Sequence, residues 1–195
     1  MQARTEAMDH YVDIDVRPNP EFPAHQLMSA LYANLHRALV AQASTVIGVS
    51  FPGFKDSPVP YLGTRLRLHG GLTALSGLLA SNWLNGIRDH VALTPALPVP
   101  GATQYRIVRR VQVKSSPERL RRRLMRRHAI DAQTARQRIP DDAAKLTHLP
   151  FIQLRSTSTG QTFLLFIDHA PIQSDLVCGE FNAYGLSLGA TIPWF

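Results

Sequence analysis

The sequence holds one cysteine, Cys178, among 195 residues. A lone thiol excludes internal disulfides and any cysteine-cluster zinc site, and it points to a reducing cytoplasm. Cys178 itself reads as a small apolar filler rather than a nucleophile. No apolar run approaches the ~20 residues of a membrane span. Met1 to Ala7 lack the apolar core of a signal peptide, so the folded part is expected to begin at Met8. Also missing are a Gly-rich phosphate loop, a His-Glu-x-x-His pair, a nucleophile elbow and a finger of cysteines and histidines. The acidic groups Asp9, Asp13 and Asp15, and Asp141 with Asp142, sit in a strand and a loop start. They lack the carboxylate arrangement of two-metal phosphoryl transfer, which disfavours a metal nuclease.

What is abundant is positive charge, and above all arginine. Lys and Arg number 21 against 14 Asp and Glu, a formal net charge of +7. Six of the nine residues from Arg119 to Arg127 are arginine. The stretch from Ser115 to His128 reads as a helix: Ser116 suits the N-cap, Pro117 the first helical position and Glu118 the positive end of the dipole. Leu120 and Leu124 stand one turn apart and can seat one edge, while Arg119, Arg122, Arg123 and Arg126 form a cationic stripe on a neighbouring face. Such a helix repels itself unless a polyanion is its partner. Guanidinium in place of ammonium favours planar, bidentate contacts to phosphate and guanine.

The rest of the chain reads as α+β. Tyr11 to Val16 alternates as a half-buried strand, with Asp13 and Asp15 facing out. Ala24 to Ala43 is an amphipathic helix with Leu27, Leu31, Leu35 and Leu39 in one stripe, Met28 and Val40 beside it and His36 at its border. Strands at Thr45 to Phe51 and Arg65 to His69, a helix at Leu72 to Ala80, a short continuation through Trp83 to Ile87 and an edge strand at Val91 to Leu93 follow. That order is that of a ferredoxin-like (RRM-like) domain over residues 8–93. Three prolines in 94–101 mark a linker unable to pair regularly. Residues 102–195 form a second α+β domain that carries the arginine helix. Gln104 to Lys114 reads as one strand placing Arg110 and Gln112 on the same face, about 7 Å apart, a spacing from which arginine could read guanine and glutamine adenine. Asp131 can cap a short helix ending before Pro140. Phe151 to Arg155 and Thr162 to His169 are strands around a hydroxyl-rich turn, the second apolar on both faces and so expected to be covered.

Histidine, serine, tyrosine and arginine suffice for one reaction on RNA. There the 2′-hydroxyl already lies beside its phosphorus and needs orientation, a proton acceptor and charge neutralisation. Histidine is the natural acceptor. Eight are present (His10, His25, His36, His69, His90, His128, His148 and His169), and composition does not choose among them. Two other readings stay open: a non-catalytic module that binds structured RNA, and a DNA-binding repressor.

Several blocks together resemble a known family. They are Met8-Asp9-His10-Tyr11, Leu35-His36-x-Ala38-Leu39-Val40, Ile47 to Pro52, Arg110-Val111-Gln112 through His128, Arg155-Ser156-x-Ser158-Thr159-Gly160-Gln161, Tyr184-Gly185-Leu186-Ser187 and Pro193-Trp194-Phe195. In this order they resemble the type I-F CRISPR repeat-processing endoribonucleases, with a weak match over Pro52 to Gly101 and none over Met1 to Ala7. The resemblance implies cleavage at the 3′ base of a repeat stem-loop without metal or cofactor, and continued residence on the hairpin as a subunit of the type I-F surveillance complex. It implies that His36 deprotonates the 2′-hydroxyl, that Ser156 positions that hydroxyl and its ribose, and that Tyr184 orients the histidine. Arg110 and Gln112 would read the lower stem. Arg122, Arg123, Arg126 and Arg127, with Arg119 on the same helix, would enter the hairpin's major groove. Phe163 would stack on the base beside the cut, with Ser158 and Thr159 along the scissile phosphate. Ala183 stands where the family suggests a bulkier or cysteine-like residue.

Overall fold

The computed structural model describes residues 8–56, 58–101, 103–112, 117–139, 148–157 and 159–195, with only the backbone for 117–119. Lys114, Ser115, the expected cap Ser116, Asp141, Asp142 and Ser158 lie outside the described residues, as does Met1 to Ala7. The chain is α+β and separates into two compact units. One comprises the residues up to Val111 together with Leu149–Phe195, the other Gln112–His148.

In the first unit, β1 (His10–Val16), α1 (Ala24–Ala41), β2 (Gly48–Ser50), β3 (Arg65–Gly70), α2 (Leu72–Ala80) and β4 (Val91–Leu93) follow one another along the chain. The strands pair antiparallel in the order β2-β3-β1-β4. The register sets Val12 opposite Leu68 and Ile14 opposite Leu66, so one face of the sheet is apolar at its centre. These side chains share a core with Leu27, Leu31, Leu35 and Leu39 of α1 and Leu75 and Leu78 of α2. Each such side chain contributes roughly 1.5–3 kcal/mol on burial. Val40 does not join them: it is 54% exposed, because it follows Leu39 by about 100° around the helix. Beyond α2, the expected helical continuation is a series of turns ending in one 3₁₀ turn at Arg88–His90.

The opposite face of this sheet alternates as expected but is covered at Asp13 and Arg67. Asp13 stands opposite Arg67 and Asp15 opposite Arg65. Arg67 donates two hydrogen bonds to Asp13, at 2.6 and 2.9 Å, and a third at 3.0 Å to the main-chain oxygen of Phe195. Its guanidinium lies 4.1 Å from the Phe195 ring centroid and 4.7 Å from that of Tyr11. Only 6% of Asp13 and of Arg67 stays exposed, a burial tolerated because the pair is bidentate and capped by aromatic faces. Residues late in the chain cover this face. Gly48 is closely approached there: a Cβ would come within 2.8 Å of both Ile192 and Phe181.

The expected linker behaves differently from its reading. Leu97–Pro98 forms β5 and pairs with His10 and Tyr11, and Thr94 and Val99 donate to the carbonyls of Asp13 and Asp9. Prolines are tolerated there because the segment runs along β1 as an edge, where a missing N–H can face outward.

The strand expected over Gln104 to Lys114 is two. β6 (Gln104–Arg106) pairs with β10 (Ile192–Trp194), whereas β7 (Val108–Val111) pairs with β9 (Thr162–His169), which in turn pairs with β8 (Phe151–Arg155). The strand changes partners at Ile107, so its polarity pattern breaks there: Val108 is buried and Arg109 pairs with Asp168 at 2.8 Å. Gln112 follows the end of β7 and is exposed. β9 is covered on one face only: Leu165 and Ile167 are buried, while Leu164 is 43% exposed. Cys178 is exposed, not a filler.

The second unit is a helical pair, α3 (Pro117–His128) and α4 (Ala132–Arg138). Ala129 turns the chain with φ of +46°. Asp131 caps α4 by accepting from the Thr134 N–H at 2.7 Å, the bond expected of it.

Candidate functional site

His36 and Tyr184, distant in the chain, are brought ring to ring. Their centroids are 4.0 Å apart and their planes differ by 11°. The helix positions the histidine: Leu35 is fully buried, which leaves its neighbour half-buried at the edge of the stripe. A tight loop positions the tyrosine. The Asn182 side chain accepts from the N–H groups of Tyr184 (2.8 Å) and Leu186 (3.2 Å), and the Asn182 carbonyl accepts from Gly185. Gly185 closes the turn at φ +70°, where a Cβ would lie 2.7 Å from Val49 Cγ1, so both the conformation and the space require glycine. Val49 of β2 donates to the Gly185 carbonyl at 2.9 Å, tying the loop to the first sheet. Tyr32, one turn before His36 on α1, donates its hydroxyl to the Tyr184 carbonyl at 2.7 Å.

The tautomer of His36 follows from its other contact. Nδ1 lies 2.8 Å from the Ala183 carbonyl, which can only accept, so Nδ1 carries the proton and the neutral ring offers its lone pair at Nε2. The contact is to main chain, so the small side chain of Ala183 does not weaken it. Arg110, half-buried on β7, brings its guanidinium to 5.7 Å from the Tyr184 ring centroid. An imidazole, a phenol ring and a cation therefore meet at one surface.

Ser156 follows β8 directly. The hairpin it opens is held by Ser156 N–H to Gln161 O (2.8 Å), Gly160 N–H to Ser156 O (2.9 Å) and Thr159 N–H to the Ser156 hydroxyl (3.2 Å). Gly160 takes φ of +67°. Thr159 is thus fixed beside Ser156. Phe163 stands opposite Leu154 in the sheet and is half-buried. On α3, Leu120, Leu124 and Met125 are half-buried whereas Arg122, Arg123, Arg126 and Arg127 are exposed, as a seated helix with a cationic outer face requires. Arg121 is bound inward, its Nε donating to the Ile139 carbonyl at 2.8 Å.

Burial removes two histidines from the eight. His69 is wholly buried, with Nε2 2.8 Å from the Ser50 hydroxyl, and His169 is 9% exposed and stacked 3.8 Å from Phe54. Desolvation, reinforced by Arg67 beside His69 and Arg106 beside His169, lowers both to about 3. Neither can accept a proton near neutrality. Among the described residues no group of three or more His, Cys, Asp or Glu could hold a metal ion. No helix among them is long and apolar enough to cross a membrane. Two supporting residues escaped sequence reasoning. Tyr32 could have been noticed one turn from His36, and the Asn-x-x-Gly spacing of Asn182 and Gly185 is a turn signal.

The family model described as CRISPR-associated protein (Cas_Csy4) matches residues 11–195. A protein of Pseudomonas aeruginosa (strain UCBPP-PA14) named CRISPR-associated endonuclease Cas6/Csy4 is 55% identical over 188 residues, 96% of this chain and 100% of that one. Its namesake from Escherichia coli (strain UTI89 / UPEC) is 47% identical over the same shares. These matches run through the His36, Tyr184 and arginine-helix segments, and on them the chain belongs to the Cas_Csy4 family of CRISPR-associated proteins.

Proposed function

We propose that this protein is a metal-independent endoribonuclease that cuts CRISPR precursor RNA at the 3′ base of the repeat stem-loop. His36 Nε2 takes the proton of the 2′-hydroxyl, which attacks its own phosphorus; the P–O5′ bond breaks and the departing oxygen takes a proton from solvent, leaving a 5′-hydroxyl and a 2′,3′-cyclic phosphate (or, after water opens it, a 3′-phosphate). Ser156 positions the attacking hydroxyl and ribose, and Tyr184 holds the imidazole flat. Thr159 and Ser158 line the phosphate, and Phe163 stacks on the adjacent base. Arg110 and Gln112 read the lower stem, and Arg119, Arg122, Arg123, Arg126 and Arg127 of α3 follow the hairpin's phosphates and major groove. An A-form major groove is narrow, but the end of a short hairpin is open to a helix.

The observation that carries this reading is the orientation of His36. An imidazole stacked on one side, with Nδ1 already donating, has Nε2 as its available base. The reaction asks only for a base, a positioned hydroxyl and cationic charge, and the donor set is imidazole, hydroxyl and guanidinium. The names carried by the two relatives support the nuclease class. We further read β1-α1-β2-β3-α2-β4, paired β2-β3-β1-β4, as ferredoxin-like, and take the product hairpin to remain bound within the type I-F surveillance complex in the cytoplasm.

The test is cleavage of a repeat stem-loop in excess chelator, with the product ends identified by mass. Unimpaired cutting with a cyclic phosphate and a 5′-hydroxyl supports the mechanism. Loss of cutting that a divalent ion restores overturns it.

A further inference from the structure

The peptide group joining Ala183 to Tyr184 is held at both ends. Its carbonyl accepts from His36 Nδ1 at 2.8 Å, and its N–H donates to the Asn182 side chain at 2.8 Å. The N–H of Leu186 reaches the same side-chain atom at 3.2 Å. Two donors converging on one atom identify it as the amide oxygen, Oδ1. The carbonyl and N–H of a trans peptide point to opposite sides, so Asn182 and His36 stand at the two ends of one line of hydrogen bonds.

The turn does not need the Asn182 side chain in order to close. Gly185 N–H bonds to the Asn182 carbonyl at 2.8 Å, Asn182 N–H bonds to the Leu186 carbonyl at 2.9 Å, and Phe181 pairs with Ser187. All of these are main-chain contacts. They leave out the central peptide, the unit of a β-turn that can rotate without opening it. What the amide oxygen adds is the direction of that peptide and, through it, the direction of the Ala183 carbonyl. A peptide N–H already engaged also polarises its carbonyl into a stronger acceptor.

From this we infer that Asn182 is a positioning residue for cleavage: through the Ala183–Tyr184 peptide it keeps the His36 proton on Nδ1 and the lone pair on Nε2. The inference rests on the proposed role of His36 as base. With the Ala183 carbonyl turned aside, the neutral imidazole can carry its proton on Nε2 instead. That tautomer meets the 2′-hydroxyl with a donor where the reaction needs an acceptor. The stack on Tyr184 fixes the plane of the ring but not the nitrogen that bears the proton.

The experiment uses the full chain with isotopically labelled histidine ring nitrogens. Their NMR shifts at about pH 8, where an ordinary histidine is neutral, report which nitrogen is protonated. The His36 signals are those lost in His36→Ala. In RNA-free protein, Asn182→Ala should lower the share of His36 protonated on Nδ1. Single-turnover cleavage should slow about tenfold, less than the 10²-fold of a fully misplaced group, while stem-loop affinity stays within about threefold. Asn182→Asp, which keeps an acceptor for both N–H groups, should hold the tautomer and cut within about threefold of the unmodified rate. Asn182→Ser, whose shorter hydroxyl cannot span both donors, should fall between the two, and it keeps the comparison open if the alanine variant does not fold. An unchanged tautomer on loss of the amide, an aspartate variant as slow as the alanine or serine one, or a loss of affinity matching the loss of rate overturns the inference. Full-rate cutting by His36→Ala overturns the proposed cleavage instead; the tautomer comparison, made without RNA, is read independently of it.

Discussion

Tyr32 and His36, one turn apart on α1, grip the same loop residue: the first donates to the Tyr184 carbonyl at 2.7 Å and the second stacks on the Tyr184 ring at 4.0 Å. The helix that carries the proposed base therefore also carries the clamp for the ring that orients it. Because Tyr32 is fully buried, displacement of the Tyr184 main chain away from His36 must first break this hydrogen bond.

His36→Ala should slow single-turnover cleavage by about 10²–10⁴, the range of a lost general base, while affinity for the stem-loop stays within a few fold. Cutting at the unmodified rate would remove His36 from the mechanism.

At Tyr184 the ring should matter more than its hydroxyl. Tyr184→Phe is expected to stay within about fivefold of the unmodified rate, whereas Tyr184→Ala should lose on the order of 10²-fold, as misplaced catalytic groups do. Affinity for the stem-loop separates this from general unfolding: loss of ring contact alone should leave it within a few fold. Equal rates for the two variants would mean that stacking does not orient the base.

On α3 the arginines should behave as phosphate contacts. Arg126→Ala is expected to weaken stem binding and to reduce the dependence of log affinity on log salt by about one unit. A slope unchanged from the unmodified chain would show that Arg126 meets no phosphate.

Gln112→Ala should cost about 1–3 kcal/mol against the preferred stem and nothing against a stem altered at the one base pair it reads. Equal weakening across all stems would exclude base reading.

Acid should destabilise the fold through its buried histidines. His69 and His169 are held at about 3, below the ordinary 6.5, so the unfolded chain binds protons that the folded chain refuses. Their stabilisation is complete above pH 6.5 and is lost as pH falls toward 3, at up to about 1.4 kcal/mol per pH unit for each. Denaturant melts between about pH 4.5 and 6.5, above most carboxylate titration, measure this. His169→Phe, which keeps the stack on Phe54, should flatten the slope by roughly one histidine's share. An unchanged slope would place the acid sensitivity elsewhere.

Local rules reached far along this chain. The leucines at every fourth residue of α1, the Asp131 cap, the strands Phe151–Arg155 and Thr162–His169 and the arginine helix could all be read from spacing. What spacing could not supply was partnership over distance. Asp13 and Arg67 looked solvent-facing because nothing near them in sequence announces that Tyr11 and Phe195 close over them. The strand from Gln104 looked continuous because the break in its alternation at Val108 and Arg109 does not by itself announce a change of pairing partner. At the site, His36 was legible only as a border residue. Its tautomer depends on a carbonyl 147 positions away.

The second face of the first sheet is roofed by the last portion of the chain, with Phe181, Ile192 and Phe195 set over Gly48 and Arg67. A polypeptide still being synthesised, or one stalled before that portion emerges, has neither the roof nor Tyr184. Its α1 can already be wound, yet its imidazole has nothing to lie against. Nuclease competence on this view waits for the segment from Phe181 to Phe195, so chains stalled before it would leave the transcripts around them uncut.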